Sequence, residues 1–242
     1  MASSIRFTAE QLRLFSLSLF GCMVIAGPAH FARAAALPPP YEDLVMVKSK
    51  RLDAIYLLPG ADFRSYTKVM IDPAQVSFRK DWMKNENRSR GTSRRIDESD
   101  MHSIAAAMRS GFDDIFAAAF KAKGYEVVTA PGPEVLRLSP AVVNVYVNAP
   151  LPMSAATRTY IVQAGEATLM LEVRDVETGA VLGVAIDRRE TRNSGGVQIA
   201  MSSVNSASFA GLFRHWANIC ASGLETLKAQ PVQSPQPAKA RH

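Results

Sequence analysis

Residues 166–189 read EATLMLEVRDVETGAVLGVAIDRR, and their alternation decides the fold class. Ala167, Leu169, Leu171 and Val173 fall on one side of an extended chain, and Glu166, Thr168, Glu172 and Arg174 on the other, because successive strand residues point to opposite faces. Glu177-Thr178-Gly179 closes a tight turn and Val181 to Arg189 returns, so the stretch predicts a β-hairpin. Clean alternation of this kind predicts an antiparallel sheet with one apolar and one wet face.

Toward the N-terminus, Ala141 to Asn148 alternates likewise, grouping Val143, Val145 and Val147 against Asn144, Tyr146 and Asn148. Shorter β-rich runs stand at 54–58 (AIYLL), 66–71 (YTKVMI), 74–80 (AQVSFRK, with Val76 and Phe78 on one face) and 125–129 (YEVVT). Pro59-Gly60, Asp72-Pro73 and Pro131-Gly132-Pro133 punctuate them. Two segments change period. Ile104, Met108, Phe112, Ile115, Phe116, Ala119 and Phe120 recur at spacings of three and four, which predicts an amphipathic helix over 99–123. The acids of Asp97-Glu98-Ser99-Asp100 suit its positive end; Lys121, Lys123 and Gly124 suit its negative end. Phe209, Leu212, Phe213, Trp216, Ile219, Cys220, Leu224 and Leu227 mark a second helix from Ser203 to about Lys228. Strands, helix, strands, helix: this order predicts an α+β fold, a two-layer arrangement of a mainly antiparallel sheet with two amphipathic helices packed on one face. No internal repeat is visible.

The first 36 residues follow another logic. Arg6 and Arg13 oppose one acid, Glu10, and LFSLSLFGCMVIAG follows over 14–27. That apolar run has the length of a signal peptide core, against about 20 residues for a bilayer span. Ala34 and Ala36 supply small residues for a cut after Ala36. The expected layout is a signal peptide over 1–36, an extended linker over 37–53, one α+β domain over 54–228 and a disordered Pro/Gln-rich tail over 229–242. The expected location is periplasmic or outer-membrane-associated. A second processing route starts at Cys22, which follows Leu19-Phe20-Gly21 as a lipidated cysteine follows its cleavage box; bulky Phe20 and the apolar MVIAG beyond the cysteine weigh against it.

Composition narrows the chemistry. Three arginines and one glutamate in 1–36 account for +2 of the whole chain's +6, leaving a mild +4. With the leader removed, Cys220 is the one remaining cysteine, which excludes an intramolecular disulfide and a thiolate metal cluster. No later segment has the apolar length of a membrane span. His102 and His215 sit on different predicted helices, with no convergent ligand set, so no metal and no cofactor is expected. No serine stands in a Gly-x-Ser-x-Gly elbow, and Cys220 lies on an apolar stripe, so no catalytic residue is assigned. Asp113 and Asp114 are adjacent on a helix and point about 100° apart, which does not make a dyad. Ser194-Gly195-Gly196 lacks the Gly-Lys-Ser/Thr of a phosphate loop. A glycosidase pair drawn from distant positions stays open.

One charged feature carries functional content. Residues 79–95 hold seven basic residues, Arg79, Lys80, Lys84, Arg88, Arg90, Arg94 and Arg95, against two acids and one aromatic, Trp82. The segment reads as an exposed loop. In cytosol it would invite a nucleic-acid reading. Export excludes nucleic acid and leaves two binding partners, an anionic membrane surface or an acidic patch on an envelope protein, each basic group contributing about 1 kcal/mol near an anionic surface. A solvated loop without specific contact is the plain alternative. The rival function is a periplasmic hydrolase with a site assembled from distant residues, on convergent acids or on a serine paired with His102 or His215. A structural component of an oligomer is a third reading.

YLLPGADFRSYTKVMIDPAQVSFRKDW at 56–82, GYEVV at 124–128, GPEVLRLSPAVVNVYV at 132–147 and RDVETGAVL at 174–182 resemble, in order, the bacterial family known as domain of unknown function 3313. Its members are described as lipoproteins. The resemblance implies an envelope protein and no established activity; the family supplies no catalytic residues to carry over. It also makes the Cys22 route more credible than the residues alone do.

Overall fold

The computed structural model of the chain describes residues 41–92, 95–147, 160–161, 163–192, 198–199 and 202–230. The leader with Cys22, Arg94 and the tail beyond Gln230 lie outside the described residues.

Strands β1 (Val45–Val47), β2 (Ala54–Leu57), β3 (Lys68–Ile71) and β4 (Gln75–Phe78) lead to a short helix α1 (Trp82–Glu86) and a 3-10 turn (Asn87–Ser89). Helix α2 (Glu98–Ala122) follows, then β5 (Glu126–Val128), β6 (Val135–Val147), β7 (Tyr160–Ile161), β8 (Gln163–Asp175), β9 (Val181–Arg192), β10 (Gln198–Ile199) and α3 (Ser202–Ala229). The main sheet runs β1-β2-β9-β8-β6-β3-β5, with β4 also on β6; β7 and β10 form a separate ribbon. The fold is α+β and the sheet mostly antiparallel, from β1 through β2, β9 and β8 to β6. At the far edge β3 and β4 pair parallel with β6, and β5 parallel with β3.

The predicted hairpin is β8–β9, with Leu171 opposite Ala185 and Leu169 opposite Asp187. Its turn closes by Gly179 N–H donating to the Asp175 carbonyl and Asp175 N–H to that of Ala180, both at 3.0 Å. The Asp175 carboxylate accepts the Thr178 N–H at 2.6 Å. The Asp72-Pro73 break divides the strand beside β6 into two: β3 pairs Lys68 to Ile71 against Val135 to Leu138, and β4 lies beyond it against Ala141 to Val145. Arg137 and Ser139 on β6 hold the Asp72 carboxylate at 2.9 and 2.6 Å, fixing the break where proline has no N–H for a ladder.

On β6 the expected grouping of Val143 with Val145 and Val147 is corrected. Asn144 adopts a left-handed conformation at φ 53°, and the β6–β8 register shifts there. The bulge resets the alternation, so Val142, Val145 and Val147 join the core while Val143 is buried apart from it.

Helix α2 buries Met108, Phe112, Phe116 and Phe120, one every four residues. Its N-terminus is a capping box: Asp97 accepts the Asp100 N–H at 2.9 Å, and Asp100 accepts that of Asp97 at 3.1 Å. Phe112 stacks on Phe116, ring centroids 4.1 Å apart, and meets the edge of Phe213 from α3 at 5.3 Å. The helices lie together on one face, α2 over the parallel edge and α3 over β8 and β9.

Two expectations change. The 37–53 linker is, over the described residues from Tyr41 on, part of the folded body: β1 pairs with β2, and Tyr41, Leu44 and Leu52 are buried. The face of β8 read as wet is partly covered, with Glu166 and Glu172 buried. Each acid is matched by cations: Glu166 by Arg79 and Arg188, Glu172 by Arg174 and by the Tyr41 hydroxyl at 2.9 Å.

The layers are unequal in width. Seven strands abreast at about 4.8 Å span roughly 29 Å, whereas two helices about 10 Å across cover roughly 20 Å. The β1–β2 side of the apolar face is what the helices leave over.

Candidate functional site

The basic segment 79–95 is not the exposed loop its composition suggests. Trp82 is 1% exposed. Its indole stacks on Phe78 at 4.4 Å and its Nε1 donates to the Val147 carbonyl at 2.9 Å. The Asn87 side chain then bridges Ile96, donating to its carbonyl and accepting from its N–H, each at 2.7 Å. A buried aromatic anchor and a side-chain clamp thus make an ordered cap of α1 and the 3-10 turn.

The cap divides the predicted cations. Arg90 is buried and ion-paired with Glu86 at 3.5 Å. Arg79 bonds Glu166 at 2.9 Å and lies over the Tyr146 ring. Lys80, Lys84, Arg88 and Arg95 are exposed. Burial alone would raise the Glu166 carboxyl, but hydrogen bonds from Arg188 and Arg79 outweigh it and hold it below the ordinary carboxylate value. Arg79 therefore ties the cap to the body, Arg90 braces the cap internally on Glu86, and four of the seven predicted residues, Lys80, Lys84, Arg88 and Arg95, remain exposed.

A hollow of about 490 Å³ under this cap is lined by Phe78, Trp82, Met83 and Met101, with Ser77 and His102 at its rim. Ser77 and His102 share it without a hydrogen bond between them, and His215 lies exposed on α3. Among the described residues no three His, Cys, Asp or Glu side chains converge as metal ligands, and no helix is long and apolar enough to cross a membrane.

Composition gave no sign of a second site at the other end of α2. Met101 at the cap and Phe120 at this end are about 28 Å apart along the helix axis. Here a cleft of about 440 Å³ opens between α3 and the uncovered sheet face. Ile55 and Leu57 of β2, Leu171 of β8, and Leu224 and Leu227 of α3 line it. Gly183 brings β2 close: a Cβ there would stand 2.8 Å from Leu57 Cδ2 and 2.9 Å from the Tyr56 carbonyl oxygen. Across the cleft, Gly223 leaves open space, with no atom within 4 Å of where its Cβ would stand. Lys48, Lys50 and Arg51 form one lip. That lip is fixed, since Ser49 Oγ accepts the N–H groups of Arg51 and Leu52, and the Arg51 carbonyl accepts Arg189 Nη2 at 2.8 Å.

Beside the cleft stands a buried carboxylate absent from the sequence reading. Asp187 is 1% exposed and accepts from Trp216 Nε1 at 2.8 Å, Arg189 Nε at 2.5 Å and the Asp53 N–H at 3.2 Å. Pairing with Leu169 places it on the core face; alternation along β9 points the other way, since Leu182, Val184 and Ile186 share the opposite parity, so only the register with β8 reveals it. Cys220 on the cleft wall has its thiol pushed up to about 12, by burial first and by Asp187 second. It stays a protonated, unreactive thiol at neutral pH.

A family model described as a protein of unknown function, DUF3313, matches residues 33–218. The chain belongs to this family. No curated protein matches the DUF3313 chain at a significant level. Among solved structures it is similar to a PelC dodecamer from Paraburkholderia phytofirmans, at 15% identity over 73% of this chain and 98% of that one, with a TM-score of 0.37. It is also similar to a Xanthomonas campestris protein assigned to the family DUF330, at 9% identity over 70% of this chain and 87% of that one, with a TM-score of 0.41.

Proposed function

We propose that this DUF3313 protein is exported to the bacterial envelope and acts there as a periplasmic or outer-membrane-associated accessory protein that binds and does not catalyse, its cap docking on anionic lipid head groups. The observation that supports the reading is the exposure of Lys80, Lys84 and Arg88 around a turn anchored by Trp82, with exposed Arg95 beside the Asn87–Ile96 hydrogen bonds. Four such groups at about 1 kcal/mol each give a weak, salt-sensitive attachment, to which lipidation of Cys22 would add a second anchor.

Co-sedimentation with phosphatidylglycerol vesicles tests it. Binding is expected at low salt, with loss in Lys80→Glu/Lys84→Glu/Arg88→Glu/Arg95→Glu; undiminished binding by that variant sinks the cap's role. Capture by an acidic envelope protein with no vesicle binding would replace the lipid surface as partner. Intact mass of the native protein separates a start at Leu37 from an acylated Cys22. For the rival, a hydrolase, Ser77 and His102 are the pair to substitute in a hydrolytic screen.

A further inference from the structure

The cleft under α3 meets two requirements of a ligand site at once. Its volume of about 440 Å³ lies within the range of about 300–1,000 Å³ typical of small-molecule sites. Its interior is apolar and its one charged lip is cationic. The opposite lip, at Leu227 and Gln230, is the C-terminal end of α3, whose partial negative charge disfavours an anion. An amphiphile would therefore place its chain between β2 and α3 and its anionic head against Lys48, Lys50 and Arg51.

We infer that this cleft binds a long-chain fatty acid, its acyl chain along Ile55, Leu57 and Leu224 and its carboxylate on the 48–51 lip. Charge complementarity selects this occupant over the chain's own C-terminal segment. That segment follows Gln230 directly, but it carries Lys239 and Arg241 with no acid and has Val232 as its one large aliphatic residue. The site needs no rearrangement of the lip, which the Ser49 and Arg189 hydrogen bonds already hold. It is independent of the cationic cap, which stands at the other end of α2.

The test is titration of the purified, delipidated protein with palmitate and, separately, with uncharged hexadecanol, by calorimetry. Saturable one-to-one palmitate binding is expected. Gly223→Leu, which fills the open wall, should weaken it at least tenfold while the far-ultraviolet dichroism is retained. Lys48→Glu/Lys50→Glu/Arg51→Glu, confined to exposed side chains, should weaken palmitate at least tenfold and hexadecanol less than threefold. The cap variant Lys80→Glu/Lys84→Glu/Arg88→Glu/Arg95→Glu should bind palmitate unchanged, so that loss of vesicle docking and loss of fatty-acid binding are told apart. Absence of saturable palmitate binding, or equal weakening of palmitate and hexadecanol by the lip variant, overturns the inference. So does palmitate binding that appears only after deletion of residues 231–242, which would make the tail the occupant.

Discussion

The two ends of α2 carry the same charge and different packing. At the cap, Trp82 is buried against Phe78, and the hollow of about 490 Å³ beside them has the acid Asp81 among its lining cations Arg79 and Lys84. At the cleft, glycines stand on both walls: Gly183 because β2 lies too close for a side chain, and Gly223 with open space where a larger residue could close the gap. The cap hollow mixes an acid with its cations beside two large aromatic rings; the cleft lining carries cations and no acid over an open apolar wall, so it can take an anionic chain in. The difference teaches that the basic residues alone do not separate surface from site, and that packing beneath them does.

The largest expected effect lies at the cap. Trp82→Ala should cost about 4 kcal/mol, from the range of about 3–5 for emptying a large aromatic site, and lower Tm by roughly 10 °C for a chain of this size. Thermal melts check it. A loss under about 1 kcal/mol would mean that the cap is not anchored as described, and the comparison would fail at that end.

Next is the carboxylate beside the cleft. Asp187→Leu strands the Trp216 N–H and Arg189 and should cost about 3 kcal/mol. That is the low end of the range for breaking a buried pair, because the Arg189 side chain is 35% exposed. Denaturant unfolding measures it, and Asp187→Asn, which keeps an acceptor, should recover part of the loss.

Gly223→Ala should raise stability by about 1 kcal/mol, since an interior helical glycine gains from a methyl group that meets nothing. A destabilised variant would show that the cleft wall is closed, removing the contrast between the two ends.

The smallest effect is pH-dependent and local. The Glu166 carboxyl is held below its ordinary value of 4.5 by Arg188 and Arg79. Its stabilising contribution is therefore fully present above about pH 4.5 and is lost as pH falls through the lower folded value. Amide-exchange protection of residues 75–92 should fall before that of 219–230 as the solution is acidified, and Glu166→Gln should remove the difference. Simultaneous loss at both ends would argue against a distinct cap unit.

Much of this molecule was legible where one local pattern decided the outcome. Phe112, Phe116 and Phe120 at spacings of four, and the Asp97-to-Asp100 cap, specify α2 within one residue of its ends. Leu169, Leu171 and the Thr178-Gly179 turn specify β8–β9. The cap was misread because Trp82 sits among basic residues, and composition cannot tell an anchor from an exposed ring. The β6 bulge was missed because Asn144 is compatible with both a regular strand and a left-handed residue.

What the sequence by itself determined is the family, the α+β class and the inward stripes of α2 and of β8, because alternation and helical periodicity are local properties. What only the tertiary structure decided is where long-range partners meet: Arg79 with Glu166, Trp216 with Asp187, and β2 beside β9 at Gly183. The cleft belongs to that second group. It arises from the mismatch between a sheet seven strands wide and two helices laid on it, and that width is a property of the assembled layers that no single segment encodes.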